Sequence, residues 1–176
     1  MKVRGALIVR VSGMAVAASL VLSMAGMAGA STNHHKSKQH KPKAKVITIS
    51  AAGKQYLAIV TPVNATLNAF VTRAKSWSSS TTNSEALSDA QPAITALQSA
   101  ESELLADQWP SGDTADVKTL VSDIGPLSGD LQGLGTINLL NASSWASTFQ
   151  RDASTLSSAV AIVRHDLGLP PASGSG

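Results

Sequence analysis

The chain has 176 residues, of which 43% are hydrophobic, 3% aromatic and 14% charged, and it contains no cysteine. The missing cysteines exclude disulfides, thiolate zinc sites and iron–sulfur clusters, and the length suits one domain with a short extension. Residues 1–45 hold eight basic and no acidic residues, whereas residues 46–176 hold six basic and eleven acidic ones. A basic N-terminal segment followed by an acidic remainder differs from the evenly basic surface of a nucleic-acid-binding domain, so no nucleic-acid partner is expected.

Residues 1–30 have the pattern of a secretory signal peptide. Three basic residues precede a largely apolar stretch from Val11 to Leu22, and Ala28-Gly29-Ala30 offers the small residues that signal peptidase requires. We therefore expect cleavage after Ala30 and a secreted or extracytoplasmic protein associated with the cell envelope. An uncleaved anchor is the alternative, because Val11 to Ala30 is 20 uncharged residues, about enough to span a bilayer.

Residues 31–45, STNHHKSKQHKPKAK, form a basic arm with a single aliphatic side chain, so the sequence predicts disorder. Its five lysines are Lys36, Lys38, Lys41, Lys43 and Lys45. Each lysine close to an anionic surface contributes about 1 kcal/mol to attachment. We expect the arm to contact acidic lipid head groups or cell-wall phosphate polymers, and a solvated linker is the simpler alternative.

The arm also contains His34, His35 and His40. Imidazole is a good ligand for copper, nickel and zinc. An extracytoplasmic metal-binding protein is therefore the alternative function, and no other cofactor is predicted.

Beyond Lys45 the apolar residues recur at steps of three and four, which is the spacing of amphipathic helices. The pattern predicts helices over 50–77 and 84–108, a third from Asp113, and a fourth from Asn141 or Ser143 to Gly168. Ser84 is the predicted cap of the second helix. Short connections favour an all-α, up-down-up-down four-helix bundle over 46–168, followed by a flexible tail, 169–176.

Pro62, Pro92 and Pro126 fall inside the predicted helices, where each removes a backbone hydrogen bond and kinks its helix. Gly125-Pro126 is the most plausible break. Gly125, Gly129 and Gly133 form a row opposite the apolar face of the third helix. The row indicates either loop-like structure after a break or the approach of a protein partner's backbone.

Two acids, Glu101 and Asp152, lie on predicted apolar faces and need a partner there, for which Arg73 or Arg151 would serve. His165 projects away from the apolar face of the fourth helix, so it lacks the oriented partner of a general base. No catalytic motif is present, and no enzymatic activity is expected. The three tryptophans lie near predicted helix ends, with Trp77 and Trp145 sharing one end.

An export leader and a polar arm precede an Ala/Ser/Thr-rich body that opens Ala-Gly-Lys-Gln-Tyr-Leu-Ala-Ile-Val-Thr-Pro-Val-Asn. In this order of segments and in its composition, the chain resembles small secreted helical proteins of Gram-positive bacteria. The resemblance implies a helical body outside the cytoplasm and carries no functional residues. The sequence thus predicts a secreted or envelope-associated binding or structural module.

Overall fold

A computed structural model describes residues 50–138 and 140–172. The predicted leader, the basic arm with its lysines and histidines, and residues 173–176 lie outside the described ranges. The described chain forms α1 (Ala51–Ala74), α2 (Asn83–Ala106), α3 (Thr114–Gly133) with a 3-10 turn (Leu134–Thr136), and α4 (Ala142–Asp166). These four helices pack against one another, and the two described ranges contain no strand, which confirms the all-α class.

The buried residues of every helix recur mainly at steps of three and four, which is the spacing of an amphipathic helix with one face turned to the core. In α4 they are Phe149, Ala153, Leu156, Ala159, Val160, Val163 and Arg164. Burying one leucine stabilises a fold by about 1.5–3 kcal/mol, so these apolar faces supply the main stabilisation. None of the four helices is both long and apolar enough to cross a bilayer.

Helix α2 differs from the others in the size of its buried side chains. Four of its inward positions are alanines, namely Ala86, Ala90, Ala93 and Ala100. Because a methyl group occupies little space, the α2 backbone lies close to both α1 and α3. Helices α3 and α4 also pack closely, whereas α1 and α4 approach one another mainly through side chains. We call this wider boundary the α1–α4 seam.

Capping interactions hold the ends of three helices. At the start of α1, Ser50 Oγ accepts from the Gly53 amide at 2.9 Å. Thr82, rather than the predicted Ser84, caps α2, because its hydroxyl accepts from the Glu85 amide at 3.2 Å. The Glu85 carboxylate accepts in return from the Thr82 amide at 2.7 Å, and these hydrogen bonds lower the pKa of Glu85. At the end of α4, Gly168 has a φ of +65°, and the Leu169 amide donates to the Arg164 carbonyl, forming a Schellman motif.

All three prolines lie inside continuous helices, so the predicted break at Gly125-Pro126 is wrong. Each proline leaves one carbonyl oxygen, four residues earlier, without its helical donor. The prolines and the residues that carry these carbonyls are exposed: Pro62 with Ala58, Pro92 with Ser88, and Pro126 with Ser122. On a solvent-facing side of a helix, water can replace the lost hydrogen bond, and the helix continues.

Two other features differ from the sequence analysis. Leu105 is 59% exposed, although it belongs to the apolar residues whose spacing predicts the second helix. Leu169, assigned to the tail, is buried, and the Pro170 carbonyl accepts from Nε and Nη2 of the buried Arg164 at 3.0 and 2.7 Å. The first residues after α4 are therefore held against the body.

Two glycine-to-alanine substitutions should change stability in opposite directions. A Cβ at Gly129 would have no neighbour within 4 Å, so Gly129→Ala should stabilise α3 by up to about 1 kcal/mol. At Gly168 the positive φ disfavours any side chain, so Gly168→Ala should cost about 1–2 kcal/mol. Urea denaturation measures both free energies of unfolding, and a destabilising Gly129→Ala would contradict the continuous α3 helix.

Candidate functional site

The aromatic side chains collect in two places. The Phe70 ring lies edge-on to Trp77 and to Phe149, with centroid distances of 5.7 and 6.2 Å. Trp145 stacks on Phe149 at 5.3 Å, so Trp77 and Trp145 share one cluster, as the sequence predicts. Trp109 contacts Tyr56 at 6.5 Å in the second place.

Each tryptophan indole donates its hydrogen bond within the chain. Trp77 Nε1 donates to Asp89 Oδ2 at 2.9 Å, and Asp89 also pairs with Arg73 at 3.3 Å. Trp109 and Trp145 donate to the backbone carbonyls of Leu104 and Asp130 at 2.8 and 2.7 Å. These bonds favour a structural role for the tryptophans, since no indole N–H is left for a ligand.

The most unusual electrostatic feature is a pair of carboxyl groups, Asp130 on α3 and Asp152 on α4. Asp130 Oδ2 is fully buried and has no hydrogen-bond donor, while the Asp152 side chain is 13% exposed. Arg151 Nε donates to Asp152 Oδ1 at 2.8 Å, which confirms Arg151 as a partner for this acid. Two ionised carboxylates cannot hydrogen-bond one another, but a single shared proton lets one donate to the other.

Burial, followed by the charge of Asp152 and a hydrogen bond with it, raises the pKa of Asp130 from 3.8 to about 6. Arg151 opposes the rise. The pair therefore changes its charge under mildly acidic conditions, in a range where isolated aspartates are ionised. Asp152 can be identified from the sequence because it interrupts an apolar face. Asp130 cannot, since it only flanks the apolar face of α3 and meets Asp152 through the packing of α3 on α4.

The remaining predicted positions are separated from this pair or exposed. Glu101 is half-buried on α2 and forms no ion pair with any residue in the described ranges. Gly125 and Gly129 are exposed, whereas a Cβ at Gly133 would meet the Trp145 ring at 3.8 Å. A distance of 3.8 Å is an ordinary contact that an alanine could also make, so packing within the chain does not require a glycine at this position. A partner contact at Gly125, Gly129 and Gly133 stays a prediction.

His165 faces water, as predicted, with 88% of its side chain exposed. Its Nδ1 lies 3.0 Å from a carboxylate oxygen of the adjacent Asp166. Within residues 50–138 and 140–172, no group of three or more histidine, aspartate or glutamate side chains is placed to hold a metal ion. The histidines proposed as metal ligands belong to the arm.

Tyr56 on α1 and Arg164 on α4 are two further buried residues with polar groups. The Tyr56 hydroxyl is buried without a hydrogen-bond partner, and burial raises its pKa above the usual range although Arg164 opposes the shift. The guanidinium of Arg164 is occupied by the Pro170 carbonyl. A neutral phenol at this position is compatible with its apolar surroundings.

Searches against protein-family models, curated proteins and solved structures found no match to this chain.

The substitution Asp130→Asn should stabilise the protein at neutral pH. Because the folded pKa of Asp130 is raised, wild-type stability should fall as the pH rises from about 4 to about 6 and stay lower above that range. The asparagine carries no charge and can donate to Asp152. Because Asp130 is partly exposed, the substitution should raise the free energy of unfolding by only about 1 kcal/mol at pH 7.5, and by little at pH 4.5.

Urea denaturation at the two pH values measures this gain, and the Asp152→Asn background is the control. Removing the Asp152 charge should reduce the gain without abolishing it, since burial is the larger cause of the raised pKa. A gain of equal size at both pH values would contradict the raised pKa of Asp130, and a gain that is unchanged in the Asp152→Asn background would contradict the coupling of the two carboxyl groups.

Proposed function

We propose that this protein is a secreted or cell-envelope-associated helical module without enzymatic activity, whose basic arm contacts anionic envelope material. The observation that carries the proposal is the division of charge along the chain. Residues 31–45 contain five lysines and no acid, whereas residues 46–176 contain eleven acids against six basic residues. Attraction to an anionic surface is therefore concentrated in one short segment.

The proposed body is an up-down-up-down bundle. Support comes from contacts near the helix ends: Trp77, just after α1, bonds to Asp89 in the first half of α2, and Phe70 meets Phe149 early in α4. Tyr56, early in α1, meets Trp109 just after α2. These contacts are the ones that antiparallel neighbours produce.

The arm precedes α1, so it would join the body beside Tyr56 and Trp109. Asp107 and Asp113 lie near that position in the connection from α2 to α3, Asp116 lies in the first turn of α3, and these acids would repel an anionic surface. Fully extended, 15 residues reach about 50 Å, whereas the screening length at physiological salt is about 8 Å. An arm of this length can therefore attach to the surface while the acidic body stays outside the range of strong repulsion.

The surroundings of two groups of titratable side chains in the described ranges support the proposal that the protein has no enzymatic activity. His165 is exposed beside Asp166, and the buried acids Asp130 and Asp152 have Arg151 as their charged neighbour. The alternative function, metal binding by His34, His35 and His40, depends on the same arm and needs a test that separates it from electrostatic attachment.

Replacing the five arm lysines with glutamine should abolish attachment to anionic vesicles. At about 1 kcal/mol per lysine, even partial engagement of the arm predicts at least a hundredfold loss of affinity. Sedimentation with phosphatidylglycerol vesicles and with neutral phosphatidylcholine vesicles measures it, and purified cell envelope can replace the vesicles. Raising the salt concentration should release the wild-type protein.

The matched control replaces the same lysines with arginine, which keeps the charge and should keep the binding. The glutamine variant retains all three arm histidines, so its zinc, copper and nickel uptake in calorimetry reports on the metal alternative separately. Binding that persists in high salt or after deletion of residues 31–45 would contradict the electrostatic proposal.

A further inference from the structure

A small cavity lies inside the body, lined by residues of all four helices. Its volume is about 30 Å³. Aliphatic side chains form most of the lining, among them Val60, Leu67, Leu97, Ile124 and Leu156. The only polar residues of the lining are Asn64 on α1 and Ser157 on α4, and these two helices border the α1–α4 seam.

Asn64 brings an unsatisfied donor to this cavity. The residue is only 8% exposed, and its Nδ2 atom is fully buried with no acceptor among the residues that the structure describes. A buried amide without a partner costs about 1–3 kcal/mol, and such groups are bonded in nearly all native proteins. A ligand that accepts from Nδ2 would remove this cost.

Size and charge limit the ligand to one chemical class. One water molecule needs about 10–15 Å³ of such space, so the cavity suits one or two waters or a molecule of about three heavy atoms. The lining carries no charge, which disfavours an ion. The unsatisfied donor requires an oxygen acceptor, and the aliphatic walls tolerate a short alkyl group.

We propose that Asn64, with Ser157 across the α1–α4 seam, forms a binding site for a small neutral hydroxyl compound, either water or a short-chain alcohol. A bound hydroxyl would accept from Asn64 Nδ2 and connect two helices that approach mainly through side chains. The site is independent of the arm and of the proposed attachment to the envelope.

Nuclear magnetic resonance of the purified protein tests the site. A long-lived water should give a nuclear Overhauser effect to the Asn64 side-chain amide protons. Ethanol should shift the methyl resonances of Val60 and Leu156 with saturation if it can replace that water. If the water signal persists in the presence of ethanol, the site binds water alone. If ethanol removes the water signal, the site binds both water and short-chain alcohols.

Two variants test whether the water signal and the ethanol shift arise at Asn64. Asn64→Leu should remove the water signal and any ethanol shift, whereas Gln98→Leu, which removes an exposed amide from α2, should leave both unchanged. If Asn64→Leu does not fold, Ser157→Ala, which should weaken both signals, takes its place.

Two results would overturn the proposal. One is an Asn64 amide that exchanges as fast as a free asparagine, with neither a water signal nor an ethanol shift. The other is uptake of xenon alone, which would identify a dry apolar cavity.

Discussion

The close approach of α2 to its two neighbours is the constraint on which the other packing depends. Alanines at the inward positions of α2 allow its backbone to lie near both α1 and α3. The α1–α4 seam contains larger side chains, with Tyr56 and Phe70 on α1 and Phe149 on α4. The α1–α4 seam is consequently wider, and the residues beside it include both polar members of the cavity lining.

The difference between the closely packed α2 and the wider α1–α4 seam also determines where buried polar groups lie. Every buried residue of α2 is alanine, isoleucine or leucine. Among residues 50–138 and 140–172, the three buried side-chain atoms without a hydrogen-bond partner belong instead to Tyr56, Asn64 and Asp130, on α1 and α3. A tightly packed interface of small residues leaves no space for an unsatisfied polar group, whereas the wider seam and the flank of α3 accommodate them at a cost in stability. These groups are therefore the places where a proton or a small ligand can affect the body.

The sequence was sufficient to predict features that depend on local spacing. The steps of three and four between apolar residues located all four helices, and the positions of Trp77 and Trp145 predicted a shared aromatic cluster. The predicted break at Gly125-Pro126 is wrong because the effect of a proline depends on whether the released carbonyl faces water, and that depends on the packed orientation of the helix. A mid-helix proline such as Pro126 is compatible with a continuous helix when both it and Ser122 are exposed.

The carboxyl pair shows a different limit of sequence reasoning. Asp152 could be identified because it interrupts an apolar face, but Asp130 lies beside one, where an acid is unremarkable. Their relation appears only once α3 is packed on α4 in a particular register. The burial of Asn64 and Arg164 is equally hard to predict from the sequence. Both lie near the edge of an apolar face, where a small rotation of the helix about its axis decides whether a polar side chain is buried or exposed.

The central claim is that four amphipathic helices enclose a common core, with α1 and α4 meeting through their large side chains. The most direct test is a set of nuclear Overhauser effects between aromatic rings that are far apart in sequence. The account predicts strong effects between Phe70 and Phe149 and between Tyr56 and Trp109. A protein with the expected helical content that lacks both sets of effects would contradict it.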